Sequence, residues 1–181
     1  MTPTRHHIRN WTTLLLAGLL AVLIEAAPLG VAARGLPSPD LVFCVVAVWA
    51  LRVPEATPLL LVFGLGVVRD LVTDVPPGLG ALALVLAAEA LKWPGAAGRR
   101  QAFLAEWLRV AGAAAIAAFL PWLGLLLTLA QPAYPTLLLQ QLVATVALYP
   151  LVRVAGSWLL RDAARKTDPA GRNRPQGERR A

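Results

Sequence analysis

From Val110 to Val152 the chain runs through 43 consecutive residues without an Asp, Glu, Lys or Arg. As helix at about 1.5 Å per residue this stretch reaches roughly 65 Å, enough to cross a hydrocarbon core of about 30 Å twice. The surrounding composition agrees, with 57% apolar and 15% charged residues among 181, where soluble domains average about a quarter charged. The expected fold class is therefore all-α, a multi-pass membrane protein. About 160 residues precede the polar tail, which is sufficient for six short spans with tight loops and leaves no room for a water-soluble catalytic domain.

The net charge of +7 belongs to the two ends of the chain. Arg5 and Arg9 lie in the first ten residues, and residues 153–181 hold eight basic against three acidic groups, while the body between is neutral. A basic tail directly after a membrane segment, without interleaved aromatics, fits attraction to anionic lipid headgroups rather than nucleic acid. Its Pro and Gly content and scarcity of apolar side chains predict disorder. The expected organisation is a cytoplasmic leader over 1–10, a six-helix membrane domain over 11–160 and a basic disordered cytoplasmic tail over 161–181.

Along the chain, a first apolar block covers Trp11 to Ala33, interrupted by Glu25 and Pro28. Three short blocks follow, Leu41 to Leu51, Pro58 to Val68 and Leu79 to Leu91, each bounded by Pro, Gly and charged residues. Eleven helical residues reach only about 17 Å, so these blocks either recruit their polar flanks, meet a thinned bilayer, or form a re-entrant hairpin over Leu41–Val68. Arg99 to Arg109 has the character of an amphipathic connector at a headgroup boundary. The uncharged run then divides at Gln131 and Pro132 into spans Val110–Ala130 and Tyr134–Val154. Lys and Arg distribute 15 to 2 across a six-span arrangement, which predicts both termini in the cytoplasm.

Few residues are equipped for chemistry. The sole cysteine, Cys44, lies in an apolar run and reads as buried filler, with no disulfide or thiolate cluster to form. His6 and His7 sit in the leader, and no nucleophile elbow, phosphate loop or zinc-binding pair exists, so neither an enzyme nor a bound cofactor is expected. Asp70 and Asp74 share a helical face, but a metal site of that kind needs further carboxylates upstream, for which Asp40 is the one available; an acid pair compensated by Arg69 is the simpler expectation. Glu89 and Lys92 suit an intrahelical pair. Ala17, Gly18, Ala21 and Glu25 share one face of the first span, as helix-packing surfaces do, although Glu25 also lies close enough to an interface to reach water. The six tryptophans mostly fall near span ends, as interfacial anchors.

A set of ordered motifs runs through the centre: Pro39-Asp40-Leu41, Trp49, Leu51-Arg52 and Pro54, Gly66-Val67-Val68-Arg69-Asp70-Leu71, and Pro76-Pro77-Gly78-Leu79-Gly80 before Glu89, with a Glu106-Trp107 pair further on. In this the chain resembles the MreD family of rod-shape-determining integral membrane proteins. Asp74, where many relatives carry a glycine or neutral residue, and Arg69 beside the family aspartate depart from the pattern. The resemblance implies six transmembrane helices with both termini cytoplasmic in the bacterial inner membrane, which favours six spans over the hairpin. It also implies a fold like the substrate-binding subunits of energy-coupling-factor transporters, and a non-catalytic role in the rod or elongation complex that directs lateral peptidoglycan synthesis. The partners it implies are MreC directly, and MreB, RodA and a penicillin-binding transpeptidase in the same assembly, alongside the lipid bilayer. Such a role calls for lateral helix faces rather than a cavity. The candidate partner-binding residues are Ala17, Gly18, Ala21, Glu25, Asp40, Arg52, Asp70 and Glu89. The competing expectation is a vitamin-binding transporter subunit, for which Glu25, Thr136, Gln140 and Gln141 are the available polar groups.

Overall fold

Helix boundaries fall largely where capping groups, glycine and proline place them. The computed structural model describes residues 5–27, 38–73, 76–93, 103–127 and 135–165. These form α1 (Arg5–Ala26), α2 (Leu41–Arg52), a 3-10 turn (Pro54–Ala56), α3 (Leu59–Val72), α4 (Leu79–Lys92), α5 (Phe103–Leu127) and α6 (Pro135–Arg165), with no strand among the described residues. Asp40 caps α2 by accepting from the Phe43 N–H at 2.8 Å, and Pro58 precedes α3. Gly78 precedes α4 with φ +98°, a left-handed conformation that glycine adopts without strain.

Several expected boundaries move. α1 begins at Arg5, so residues 5–10 of the expected leader are helical, and it is described to Ala26, the remainder of the first apolar block from Pro28 to Ala33 lying outside the described residues. The expected connector is not a separate surface segment: residues 103–109 form the first turns of α5, because Glu106 and Arg109 reach partners on α6 and α4 that draw the segment into the bundle. α6 continues to Arg165, five residues into the expected tail. The rest of the tail, the Gln131–Pro132 break, Arg34, Asp74, Arg99 and Arg100 lie outside the described residues. Trp49 is no interfacial anchor: it is 1% exposed, because α2 is the central helix.

Eight of the twelve residues of α2 are buried. Around it α1, α3, α4, α5 and α6 follow one another, each packed on the next and, among the described residues, open between α6 and α1. Among the described residues three stretches are long and apolar enough to cross a membrane: Arg9–Ala26, Phe103–Leu127 and Pro135–Leu160. Their outward surfaces are apolar, with Leu16, Leu23, Leu104, Leu139, Val143 and Leu151 exposed. α2, α3 and α4, with 12, 14 and 14 residues, reach only about 18–21 Å.

Lipid tails are as apolar as leucine, so helix association here draws on close packing rather than on exclusion of water. Glycine notches supply it. Leu65 of α3 fills the notch at Gly18 of α1, and Leu79 of α4 fills that at Gly124 of α5. Between α3 and α4 the approach is backbone to backbone, since a Cβ on Gly66 would lie 2.5 Å from Ala81 Cα, whereas a Cβ on Gly64 meets nothing within 4 Å. Gly66→Ala is expected to force the pair apart and destabilise by about 1–3 kcal/mol. Gly64→Ala, two residues away, is expected to be neutral or stabilising by up to ~1 kcal/mol from helix propensity. Thermal unfolding of the two purified variants reads the contrast, and equal melting of both would refute the backbone contact.

Candidate functional site

The polar side chains of the bundle gather into two knots, one at each end of the short helices. At the first, the N-terminus of α2 presents backbone N–H groups that no helical carbonyl accepts. Glu25, at the end of α1, takes two of them through Oε1, from Leu41 and from Val42, the latter at 3.0 Å. Asp40 takes the third, and its own N–H donates to Thr145 Oγ1 on α6 at 2.9 Å. Arg69, from α3, donates to Asp40 Oδ2 across 2.8 Å and lies 3.6 Å from Glu25 Oε2. Both carboxylates thus meet the positive end of the α2 dipole and one shared guanidinium.

Asp70, the next residue, serves a different helix. Its Oδ2 accepts from the N–H groups of Gly78 at 2.9 Å and Ala81 at 3.0 Å, which closes the start of α4. The expected acid pair compensated by Arg69 is therefore corrected: Asp70 is 2% exposed and satisfied by α4, and Arg69 is committed to Asp40 and Glu25. Asp74 lies outside the described residues. Glu25 does not reach out to water, being 8% exposed at its side chain.

At the opposite end Glu106 accepts from Tyr149 Oη at 2.7 Å and from Arg153 at 2.7 and 3.1 Å, with Arg52 at 3.6 Å, so α5, α6 and α2 share one carboxylate. Arg153 also stacks over Phe103 at 5.0 Å. Lys92 pairs with Glu89 at 2.7 Å and donates to the Thr57 carbonyl at 2.6 Å, tying α4 to the loop before α3. Arg109 donates to the Leu91 carbonyl at 3.2 Å. Beside this knot, Pro150 sits inside α6 and supplies no N–H to the Val146 carbonyl four residues earlier. The indole Nε1 of Trp107 donates to that carbonyl at 3.1 Å and replaces the missing helical bond.

Of the residues singled out from sequence, Glu25 and Asp40 meet in the first knot, with Asp70 adjacent, while Arg52 joins the second and Glu89 pairs with Lys92. Gly18 and Ala21 face the bundle, Gly18 against Leu65, and Ala17 and Ala21 border a groove between α1 and α6. Arg69 as a hub, and Thr145, Trp107, Tyr149 and Arg153, were not anticipated. Parity was the signal for Arg69: in a six-span arrangement Glu25, Asp40, Arg69 and Asp70 all fall at one end.

Next to the first knot lies a partly open cavity of about 270 Å³, bordered by Asp40, Arg69, Thr73, Trp122, Gln141 and Thr145. Ala114, Ala117 and Ala118 make room for it on the α5 side. Such a space holds a small polar molecule or several waters. No group of three or more metal-ligating side chains occurs among the described residues.

Comparison with protein-family models, with curated proteins and with solved structures returned no match. What fold and site define is an all-α chain with three helices long and apolar enough to cross a membrane, fastened by a polar knot at each end of its short helices.

Trp107→Phe leaves the Val146 carbonyl without its donor, and the expected loss is about 1–3 kcal/mol. In the Trp107→Phe background, Pro150→Ala returns a helical N–H to the same carbonyl and is expected to recover most of that loss. A double-mutant cycle by thermal unfolding measures the coupling; simple additivity would show that the indole does not serve the proline gap.

Proposed function

We propose that this chain is a non-catalytic membrane component of the MreD type, helping MreC, MreB, RodA and a penicillin-binding transpeptidase direct lateral peptidoglycan synthesis and maintain cell shape. One observation carries this reading. The residues on which the family resemblance rests, Asp40, Gly66, Asp70, Gly78, Gly80, Glu106 and Trp107, act as helix caps and interhelix fasteners. Bound up in this way, they hold a frame whose outward surfaces are the leucine-rich sides of α1, α5 and α6. A bitopic partner such as MreC would grip such a frame from the side. Depletion in a rod-shaped bacterium encoding this chain is expected to round the cells, and a tagged copy is expected to retain MreC through detergent purification. Rods of unchanged outline together with no retained MreC would overturn it.

Six spans in the bacterial inner membrane, with both termini cytoplasmic and a fold like the energy-coupling-factor substrate subunits, belong to the same proposal. Charged groups at both ends of helices only about 18–21 Å long support α2, α3 and α4 as crossings of a locally thinned bilayer. Cys44 is buried, so single cysteines introduced at Glu55 and Thr73 report topology against a quiet background. Six spans place the two on opposite sides, with impermeant maleimide labelling Thr73→Cys from outside and Glu55→Cys only after the membrane is opened. A re-entrant hairpin would leave Glu55→Cys unlabelled in both cases.

The cavity beside Asp40 and Arg69 favours a second reading, a solute-binding subunit of a vitamin transporter, since its border mixes charged, amide, hydroxyl and indole groups. A ligand at 100 times its Kd would raise stability by about 2.7 kcal/mol. Melting curves with thiamine, riboflavin and biotin separate the two, because a shift with any of them supports the transporter and none is expected for the scaffold.

A further inference from the structure

The cavity beside the first knot borders a charge that no cation among the described residues balances. Glu25, Asp40 and Asp70 gather there with one base, Arg69, which is committed to Asp40 and Glu25. Its Nε, buried and without a hydrogen bond, faces Glu25 Oε2 at 3.6 Å, so the arginine turns its charge to acids already present. Asp70 is 2% exposed and forms no ion pair among the described residues. Its Oδ2 accepts the two N–H groups at the start of α4, while its Oδ1 accepts none. That second oxygen lies against Gly80, where a side chain would otherwise stand, and Asp70 and Gly80 both border the cavity. The α4 dipole offsets part of the charge, and a buried carboxylate held this way gains from a full cation at its bare oxygen.

The rest of the border fixes the kind of cation. A bare metal ion would fill little of about 270 Å³, given that one water takes up about 30 Å³. The hydroxyls of Thr73 and Thr145 already donate to backbone carbonyls, at 3.0 and 2.8 Å, so they turn lone pairs rather than protons toward a ligand. The side-chain amide of Gln141 makes no hydrogen bond among the described residues and adds a further carbonyl oxygen. A border rich in acceptors suits a cation rich in donors, and a primary ammonium carries three N–H groups. On the α5 side Ala114, Ala117 and Ala118 offer an apolar wall to a short carbon stem.

We propose that this cavity binds a small primary alkylammonium ion, with its nitrogen at Asp70 Oδ1 and its stem against the alanines of α5. A free amine and the headgroup of an ethanolamine phospholipid present the same group, and the partly open cavity admits either. The site does not rest on the shape-complex reading, which stands or falls on cell outline and MreC retention. It shares its cavity with the transporter reading, but thiamine, riboflavin and biotin carry no primary alkylammonium, so the two tests fail separately.

Isothermal titration calorimetry of the full chain in phosphatidylglycerol nanodiscs, with lipid-only nanodiscs as the blank, tests it. The expected result is one ethanolamine per chain, bound at least about ten-fold more tightly than its neutral analogue ethylene glycol or than choline, whose nitrogen has no N–H. Asp70→Asn keeps an amide oxygen for the N–H groups of α4 and turns an NH2 toward the cavity, and is expected to weaken ethanolamine at least about ten-fold. Ala118→Leu, which fills the cavity from α5, is expected to abolish binding while leaving the melting temperature of the ligand-free protein unchanged, and carries the test if the Asp70 variant does not fold. Adding phosphatidylethanolamine to the nanodiscs separates the two sources: the ethanolamine signal is lost if the headgroup takes the site and kept if the free amine does, and either result supports it. No ethanolamine binding in phosphatidylglycerol nanodiscs, equal binding of ethylene glycol or choline, or undiminished binding by Ala118→Leu overturns the proposal.

Discussion

The start of α2 is the point on which the rest of the structure depends. A helix beginning inside a bundle leaves N–H groups with no water to receive them, and each one left bare costs about 1–3 kcal/mol or more. Glu25 and Asp40 supply acceptors, and Arg69 makes two buried carboxylates tolerable so close together. Removing one partner from such a buried set typically costs about 3–5 kcal/mol, since the charges left behind have nowhere to go. The same atoms set the relative heights of α1, α2 and α3, and Thr145 brings α6 to that level.

Glu106 does the corresponding work at the other end for α5, α6 and α2. Between the two knots the contacts are small residues and leucines, and there the glycine notches decide how closely helices approach. Polar groups fix register, apolar groups fix distance, and neither substitutes for the other in a medium where apolar surfaces gain little by meeting. Among the described residues the ring that results is complete except beside α1 and α6, where one side of α2 borders a groove.

Much of this was legible in the chain. The uncharged run implied paired long helices, and the Pro, Gly and Asp boundaries located α2, α3 and α4 to within a few residues because capping is local chemistry. The starts of α1 and α5 and the end of α6 were not, since a helix can extend through polar residues when these find partners elsewhere, as Glu106 and Arg109 do on α6 and α4. Spacing suggested Asp74 as the companion of Asp70, yet its ligands are backbone N–H groups eight and eleven residues ahead, across a turn. Nor did hydropathy reveal a cavity, because three alanines on α5 leave room only by virtue of what stands opposite them.

The sequence by itself determined that helices would form, that three of them would be long and apolar enough for a membrane, and where charge would accumulate, since hydropathy, helix propensity and capping act over a few residues at a time. Only the tertiary structure decided which acid serves which helix, that one arginine joins Glu25 to Asp40, that Trp107 mends the gap left by Pro150, and that the ring stays open between α1 and α6. Those outcomes rest on atoms brought together from distant parts of the chain, and an isolated segment contains no information about the neighbour it will meet.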